Sequence, residues 1–173
     1  MGKRSSFERR EQDFYVTPYE AVPPLLAHLS RGATFEEPCA GDGSLVDHLE
    51  RGDHFCTYSC DIEPKRADVM QYDAFKIERT AADYFITNPP WTRTILHPLI
   101  VHLSDIAPTW LLFDADWKHT RQAAPYMPRC RKIVSVGRLK WIPNSPHTGK
   151  DNCAWYLFTK DTEPQAQFFE RAA

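Results

Sequence analysis

The sequence predicts one α/β domain, a mainly parallel sheet covered on both faces, with an antiparallel strand pair near its C-terminal end. Three observations carry that expectation. From Ala33 to Ala115, short apolar runs alternate with amphipathic stretches, the pattern of strands joined by crossover helices. The chain has 173 residues, enough for one domain with a sizeable core. The last two strand-like runs are separated by a turn-rich loop and no helix, which is how antiparallel neighbours connect.

Residues 1–12 are polar and charged and read as a mobile basic arm, with Lys3, Arg4, Arg9 and Arg10. The folded domain is expected over 13–160, and a C-terminal tail over 161–173. In TPYE, Thr17 is an N-cap, Pro18 suits the first helical position and Glu20 completes a capping box. A helix to about His28 follows, although Pro23 and Pro24 count against its first turns. ATFEEP (33–38) reads as a strand, CAGDG as a loop and SLVDHLE as a helix. HFCTYSCD (54–61) is a strand, PKRADVMQ (64–71) a short helix and DYFITN (83–88) a strand. TILHPLIVHLSD (94–105) is a helix in spite of Pro98, TWLLFDA (109–115) a strand, and KHTRQAAPY holds a short helix. RKIVSVGRLKWI (131–142) and CAWYLFTK (153–160) are strands joined by PNSPHTGKDN. Ligands of such sheets bind beyond the carboxyl ends of the strands. Glu37, Asp61 and Asn88 fall at such ends, so they are expected to share one crevice.

Apolar residues make up 42% of the chain and aromatic ones 13%, as in a soluble globular protein. No run of 18 apolar residues and no basic-apolar-small leader occurs, so neither a membrane span nor a signal peptide is expected. Five cysteines, an odd number without a CxxC pair, favour reduced thiols and a cytoplasmic location. His54, Cys56 and Cys60 lack a second Cys/His pair at zinc-finger spacing, so they read as residues of one strand and no metal is expected. A formal charge of −2 conceals an asymmetry. Arg31 to Pro90 holds twelve acidic residues against six basic, and Phe113 to Lys150 holds eight basic against Asp114 and Asp116. Two such halves suggest two ligands, one a candidate polyanion; the alternative is a solvated basic face.

EEPCAGDGSL combines a strand end, a glycine turn and a helix start. Gly41 and Gly43 permit a tight turn and close backbone approach, and Asp61 follows twenty residues after Gly41, where an acid can bond ribose hydroxyls. Charge selects the ligand. A dinucleotide site offers helix-end N–H groups to a pyrophosphate and tolerates no anion nearby. This loop carries Glu37 and Asp42, has Val46 at the third glycine position, and is followed by no GK[ST] of a P-loop. S-adenosylmethionine has ribose and adenine, no phosphate, and two cationic groups, so it fits where a dinucleotide does not. In QYDAF, Asp73 could accept from an adenine amine while Phe75 packs on the ring; the alternative for Asp73 is a helix cap.

Asn88-Pro89-Pro90-Trp91 follows the strand DYFIT. Adjacent prolines can neither donate to a sheet nor continue a helix, and they fall in the crevice of the glycine turn. Here the sequence resembles the amino-methyltransferases that methylate exocyclic nitrogens, specifically the N6-adenine DNA methyltransferases. NPPW is similar to their catalytic signature, EPCAGDGSL resembles their cofactor loop, and DFYVTPYEAV resembles the segment that closes over the methionine end of the cofactor. That order is the gamma arrangement, and the resemblance spans Asp13 to Phe158. It implies a single Rossmann-like class I methyltransferase domain, with a mostly parallel seven-stranded-type sheet. It also implies S-adenosylmethionine as cofactor, with DNA, or RNA, as partner.

The same resemblance implies site residues. Tyr15, Thr17 and Pro18 would line the methionine end, with Glu37, Pro38, Ala40, Gly41 and Gly43 from the loop. Asp61, Ile62, Asp73 and Phe75 would hold the ribose and adenine. Asn88, Pro89, Pro90 and Trp91 would be catalytic. The N6 lone pair of adenine is delocalised into the ring. Two N–H bonds, accepted by Asn88 Oδ1 and the Pro89 carbonyl, would shift that nitrogen toward tetrahedral geometry, while prolines hold the acceptors stiffly. Trp91 would stack on a base that has left the duplex. Arg93, Lys118, Arg138, Lys140, Trp141 and Lys150 are the candidate nucleic-acid contacts.

In place of a large target-recognition domain there is only RLKWIPNSPHTGKDN, which offers few side chains for base readout, so weak or very short sequence specificity is expected. Three alternatives remain: adenine in RNA, a protein glutamine, and a catalytically silent nucleic-acid-binding subunit. Cytosine N4 fits less well, because those enzymes more often begin the motif with serine. The small size suggests a phage or mobile-element enzyme. Oligomeric state is not legible.

Overall fold

The computed structural model describes residues 15–142, 148–162 and 166–170. The basic arm expected at 1–12 and part of the loop expected at 143–152 lie outside them.

Eight strands form one sheet: β1 (Thr34–Glu37), β2 (Phe55–Asp61), β3 (Met70–Gln71), β4 (Tyr84–Thr87), β5 (Thr109–Asp114), β6 (Cys130–Arg138), β7 (Asn152–Phe158) and β8 (Gln167–Phe169). Their order is β3-β2-β1-β4-β5-β7-β6-β8. Every pairing is parallel except those of β7, which runs against both β5 and β6. The expected antiparallel pair is therefore present, but β7 inserts into the sheet instead of being appended to its edge. Its sequence requires this. The run CAWYLF has no polar residue to turn toward water, and all six of its residues are buried.

Each face of the sheet carries a core. Helices α1 (Pro23–Leu26) and α2 (Ser44–Glu50) cover one face, with Phe35, Ile86, Trp110, Leu112 and Trp155 beneath them. Helix α3 (Arg93–Ile106) covers the other, over Phe85, Leu111, Phe113, Tyr156 and Phe158. Phe113 and Tyr156 stack at 4.2 Å on adjacent strands. Trp155 Nε1 donates to the Ala21 carbonyl at 2.7 Å, which fastens the N-terminal segment across the first core.

Five local expectations are corrected. The long helix from Thr17 does not form: Thr17 and Pro18 precede a 3-10 turn at Tyr19–Ala21, and only the single turn of α1 follows. Pro23 and Pro24 lack N–H donors, so they can only start a helix. PKRADVMQ is not helical, because Met70 and Gln71 pair with Cys60 and Asp61 as β3. The helix expected around KHTRQAAPY is a set of 3-10 turns between Ala115 and Arg129. Strand β6 stops at Arg138, short of the expected Ile142. The expected tail contributes β8, whose Phe168 pairs with Ile133.

One bulge decides a chemical question. The β1–β2 register slips between Phe35 and Glu36, so Thr57 is an extra residue on β2. The slip turns Cys56 toward the α1–α2 core and Cys60 into the α3 core, so the two sulfurs cannot converge on one ion with His54. Burial pushes both thiols up to about 12, which keeps them protonated.

Candidate active site

Strands β2, β1 and β4 are neighbours, so the chain leaves their carboxyl ends side by side. The strand order reverses around β1 and β4, where open α/β sheets bind their ligands. Glu37 and Asp61 close β1 and β2, and Asn88 follows β4, so the three lie at adjoining strand ends.

The loop after β1 turns on Gly41 and Gly43, whose φ angles of +53° and +73° lie in the left-handed region. Its polar groups bind backbone to carboxylate. Gly41 N–H donates to Asp61 Oδ2 at 2.9 Å, and Glu63 N–H donates to Asp61 Oδ1 at 2.8 Å. Ala40 N–H donates to the Cys60 carbonyl at 2.9 Å. Asp61 thus ties the glycine turn to the end of β2. Beside it Ile62 is 66% exposed, an apolar surface next to a carboxylate. Asp73 accepts from Phe75 N–H at 3.0 Å, the capping role weighed as its alternative, and Phe75 stays largely exposed.

Arg66 escaped the sequence reading. Its guanidinium bonds Asp47 at 2.8 Å and Asp68 at 2.6 Å and lies over the glycine turn, so close that a Cβ on Gly43 would meet Arg66 Cζ at 2.2 Å.

Glu37 is 2% exposed, and its Oε2 has no hydrogen-bond partner. Burial, then the neighbouring Asp42 and Asp61 carboxylates, push its carboxyl well above the usual range, against a backbone hydrogen bond from Val46 and the charge of Arg66. A buried carboxyl oxygen without a partner is costly in the free protein.

On the other side of the crevice the polar groups are paired. Trp91 Nε1 donates to Asn88 Oδ1 at 3.3 Å, and Asn88 Nδ2 donates to Thr17 Oγ1 at 3.2 Å. Trp91 meets Trp141 edge-on at 5.7 Å, and Trp141 meets Tyr15 edge-on at 6.1 Å. Pro89 is buried and Pro90 half-buried, a stiff link from β4 to the start of α3. Three segments far apart in sequence therefore close one ring. Nothing local signals the Thr17–Asn88 bond, whose partners are 71 positions apart.

The expected nucleic-acid contacts divide. Arg138, Lys140 and Lys150 are exposed around the end of β6 and the approach to β7, beside Trp141. Gly149 N–H donates to the Leu139 carbonyl at 2.7 Å and closes the base of that loop. Arg93 is half-buried at the start of α3, near Asp114, whose carboxyl is raised chiefly by burial and lowered by Arg93. Lys118 lies elsewhere, its ammonium 4.4 Å over the Phe168 ring.

No protein-family model and no curated protein sequence matches the chain. Solved structures do. A candidate RNA methyltransferase from Pyrococcus horikoshii is 16% identical, with a TM-score of 0.59 over 92% of this chain and 93% of that one. A candidate class I S-adenosylmethionine-dependent methyltransferase from Listeria monocytogenes is 10% identical, with a TM-score of 0.57 over 89% of this chain and 64% of that one. The modification subunit of a candidate type I restriction enzyme from Vibrio vulnificus is 12% identical, with a TM-score of 0.57. This chain aligns over 92% of its own length and spans about half, 47%, of that subunit. What the chain shares with all three is the fold. The expected Rossmann-like sheet is thus present, with eight strands. No helix among the described residues is long and apolar enough to cross a membrane.

Proposed function

We propose that the chain transfers a methyl group from S-adenosylmethionine to the exocyclic N6 of adenine in DNA, after base flipping and with weak or very short sequence specificity. One observation carries the reading: Asn88, with its double proline and Trp91, stands one strand from a buried carboxyl oxygen that lacks a partner. The cofactor fits the residues present. Glu37 would neutralise its cationic end, and Gly41 and Gly43 add no side chain of their own to the turn that Arg66 covers. Asp61 keeps lone pairs for ribose hydroxyls, and Ile62 and Phe75 offer apolar surface to adenine. The cofactor, when bound, supplies an electrophilic methyl carbon on a cationic sulfur.

The chain's part is to present the amine. Asn88 Oδ1 and the Pro89 carbonyl each accept one N–H, which localises the nitrogen lone pair for attack. The new N–C bond forms as the C–S bond breaks, and the methylated nitrogen then loses a proton to solvent, so no strong base is required. Trp91 and Trp141 supply ring faces and edges for an extruded base, a stacking contact worth about 1–3 kcal/mol. Arg138, Lys140 and Lys150 would neutralise phosphates beside them.

A second reading, the same chemistry on adenine in RNA, draws on the Pyrococcus horikoshii protein's description. Incubation with labelled S-adenosylmethionine and unmodified DNA or RNA, followed by nucleoside mass spectrometry, separates the two. N6-methyladenine is expected with DNA. Label in RNA alone selects the second reading, label in protein redirects the function to glutamine, and no label anywhere revives a silent nucleic-acid-binding subunit.

A further inference from the structure

We propose that Thr17 is a positioning residue for the transfer, anchoring the Asn88 amide in the orientation that the Trp91 indole N–H selects. This rests on the reading that Asn88 Oδ1 accepts from the reacting amine. An amide has two nearly isosteric ends with opposite hydrogen-bonding character. Rotated by a half-turn, Asn88 would present N–H groups to the N–H groups of its substrate and bind nothing. Something must break that symmetry.

Trp91 breaks it, and Thr17 anchors the result. An indole N–H can only donate, so the Asn88 atom 3.3 Å from Trp91 Nε1 is Oδ1. Nδ2 then points at Thr17 Oγ1, 3.2 Å away. Thr17 is 5% exposed, so water competes poorly for that place. The Trp91 bond takes one lone pair of Oδ1 and leaves the other for a substrate N–H. A base that stacks on Trp91 is free to displace the indole bond, and the amide can then turn only by breaking its bond to the buried Thr17 hydroxyl.

The segment bearing Thr17 is itself pinned from both sides. Tyr15 packs against Trp141, and the Ala21 carbonyl accepts from Trp155 Nε1 at 2.7 Å. Thr17 was expected at the methionine end of the cofactor. The bond to Asn88 gives its hydroxyl oxygen a second role, which experiment can separate from the first.

The test compares Thr17→Val, which keeps the shape and loses the acceptor, with Thr17→Ser, which keeps the acceptor. Steady-state methylation of DNA gives kcat and KM, and isothermal titration gives cofactor affinity. The Trp91 indole N–H resonance, assigned through Trp91→Phe, reports the amide directly in the free protein. Expected for Thr17→Val is a fall in kcat of about tenfold, the cost of one lost hydrogen bond, with KM and cofactor affinity within about twofold. Its indole resonance shifts, and Thr17→Ser restores both readouts. Thr17→Cys, a weaker acceptor, gives the same direction if valine unfolds the protein. A Thr17→Val enzyme with undiminished kcat overturns the proposal. So does a loss of cofactor affinity that accounts for the whole defect, which would return Thr17 to the cofactor. A wild type that methylates nothing sinks the underlying reading and this role with it. An active wild type beside an equally active valine variant sinks this role alone.

Discussion

Glu37 ends β1 buried with an unpartnered oxygen, whereas Asn88, just past neighbouring β4, has both ends of its amide occupied. Around Glu37 the crevice is acidic and its structure is carried by backbone amides on carboxylates. Around Asn88 it is aromatic, with exposed basic residues nearby. The contrast separates two ways of preparing a site. A buried carboxyl without a partner raises the energy of the free protein and is relieved by a cationic ligand. An amide held at both ends is oriented before its ligand arrives, with only the indole bond free to yield. On the proposed function, the first would await the cofactor and the second would receive the base.

The sharpest way to break this contrast is Asn88→Ala. Loss of the acceptor should lower kcat by about 100-fold or more, as loss of a preorganised hydrogen bond at a reacting group does, with cofactor affinity within about twofold. Nucleoside mass spectrometry and calorimetry measure the two, and a parallel loss of cofactor binding would show the halves are not separable.

Glu37→Gln should do the reverse. Cofactor affinity is expected to fall by about tenfold or more, equivalent to about 1.4 kcal/mol. The free protein should meanwhile gain stability at neutral pH. Because the folded carboxyl is raised, the native state holds its proton longer than the unfolded chain. Glu37's stabilising contribution is therefore complete below the usual carboxylate range and is lost as pH rises through its folded value. Melting temperatures across pH 5–8 should decline less steeply in Glu37→Gln than in the wild type. Identical slopes would mean the carboxyl finds a partner in solution.

Gly43→Ala tests the turn between these residues. A left-handed φ costs a β-carbon about 1–2 kcal/mol, and the Arg66 guanidinium must leave its place over the turn. Denaturant unfolding should show that loss, with cofactor affinity reduced and Asn88 chemistry unaffected. The smallest effect belongs to Lys140→Ala, at the basic end of the substrate half. DNA affinity should fall by a few-fold, and the slope of log affinity against log salt should decrease by about one. An unchanged salt slope would remove Lys140 from the interface.

Much of the fold was legible because it is written locally. The alternation of apolar strands with helices gave the parallel sheet, and the glycine turn and NPPW placed Glu37, Asp61 and Asn88 at adjoining strand ends. The errors share a cause. PKRADVMQ has a helical composition, yet β2 offers its edge to Met70 and Gln71, and the tail around Phe168 joins β6 in the same way. Edge pairing is decided by the partner strand, which local propensity does not contain.

The amino-acid sequence by itself determined which groups could act: a carboxyl after β1, an acid after β2, an amide stiffened by two prolines after β4. Their chemistry and their strand-end positions follow from residue type and short-range pattern. Only the tertiary structure decided how those groups are held. It buried Glu37 with one oxygen unpartnered, laid Arg66 across the glycine turn and set Thr17 against Asn88. Such contacts join segments tens of residues apart, and their geometry exists only once the two cores have closed around the sheet.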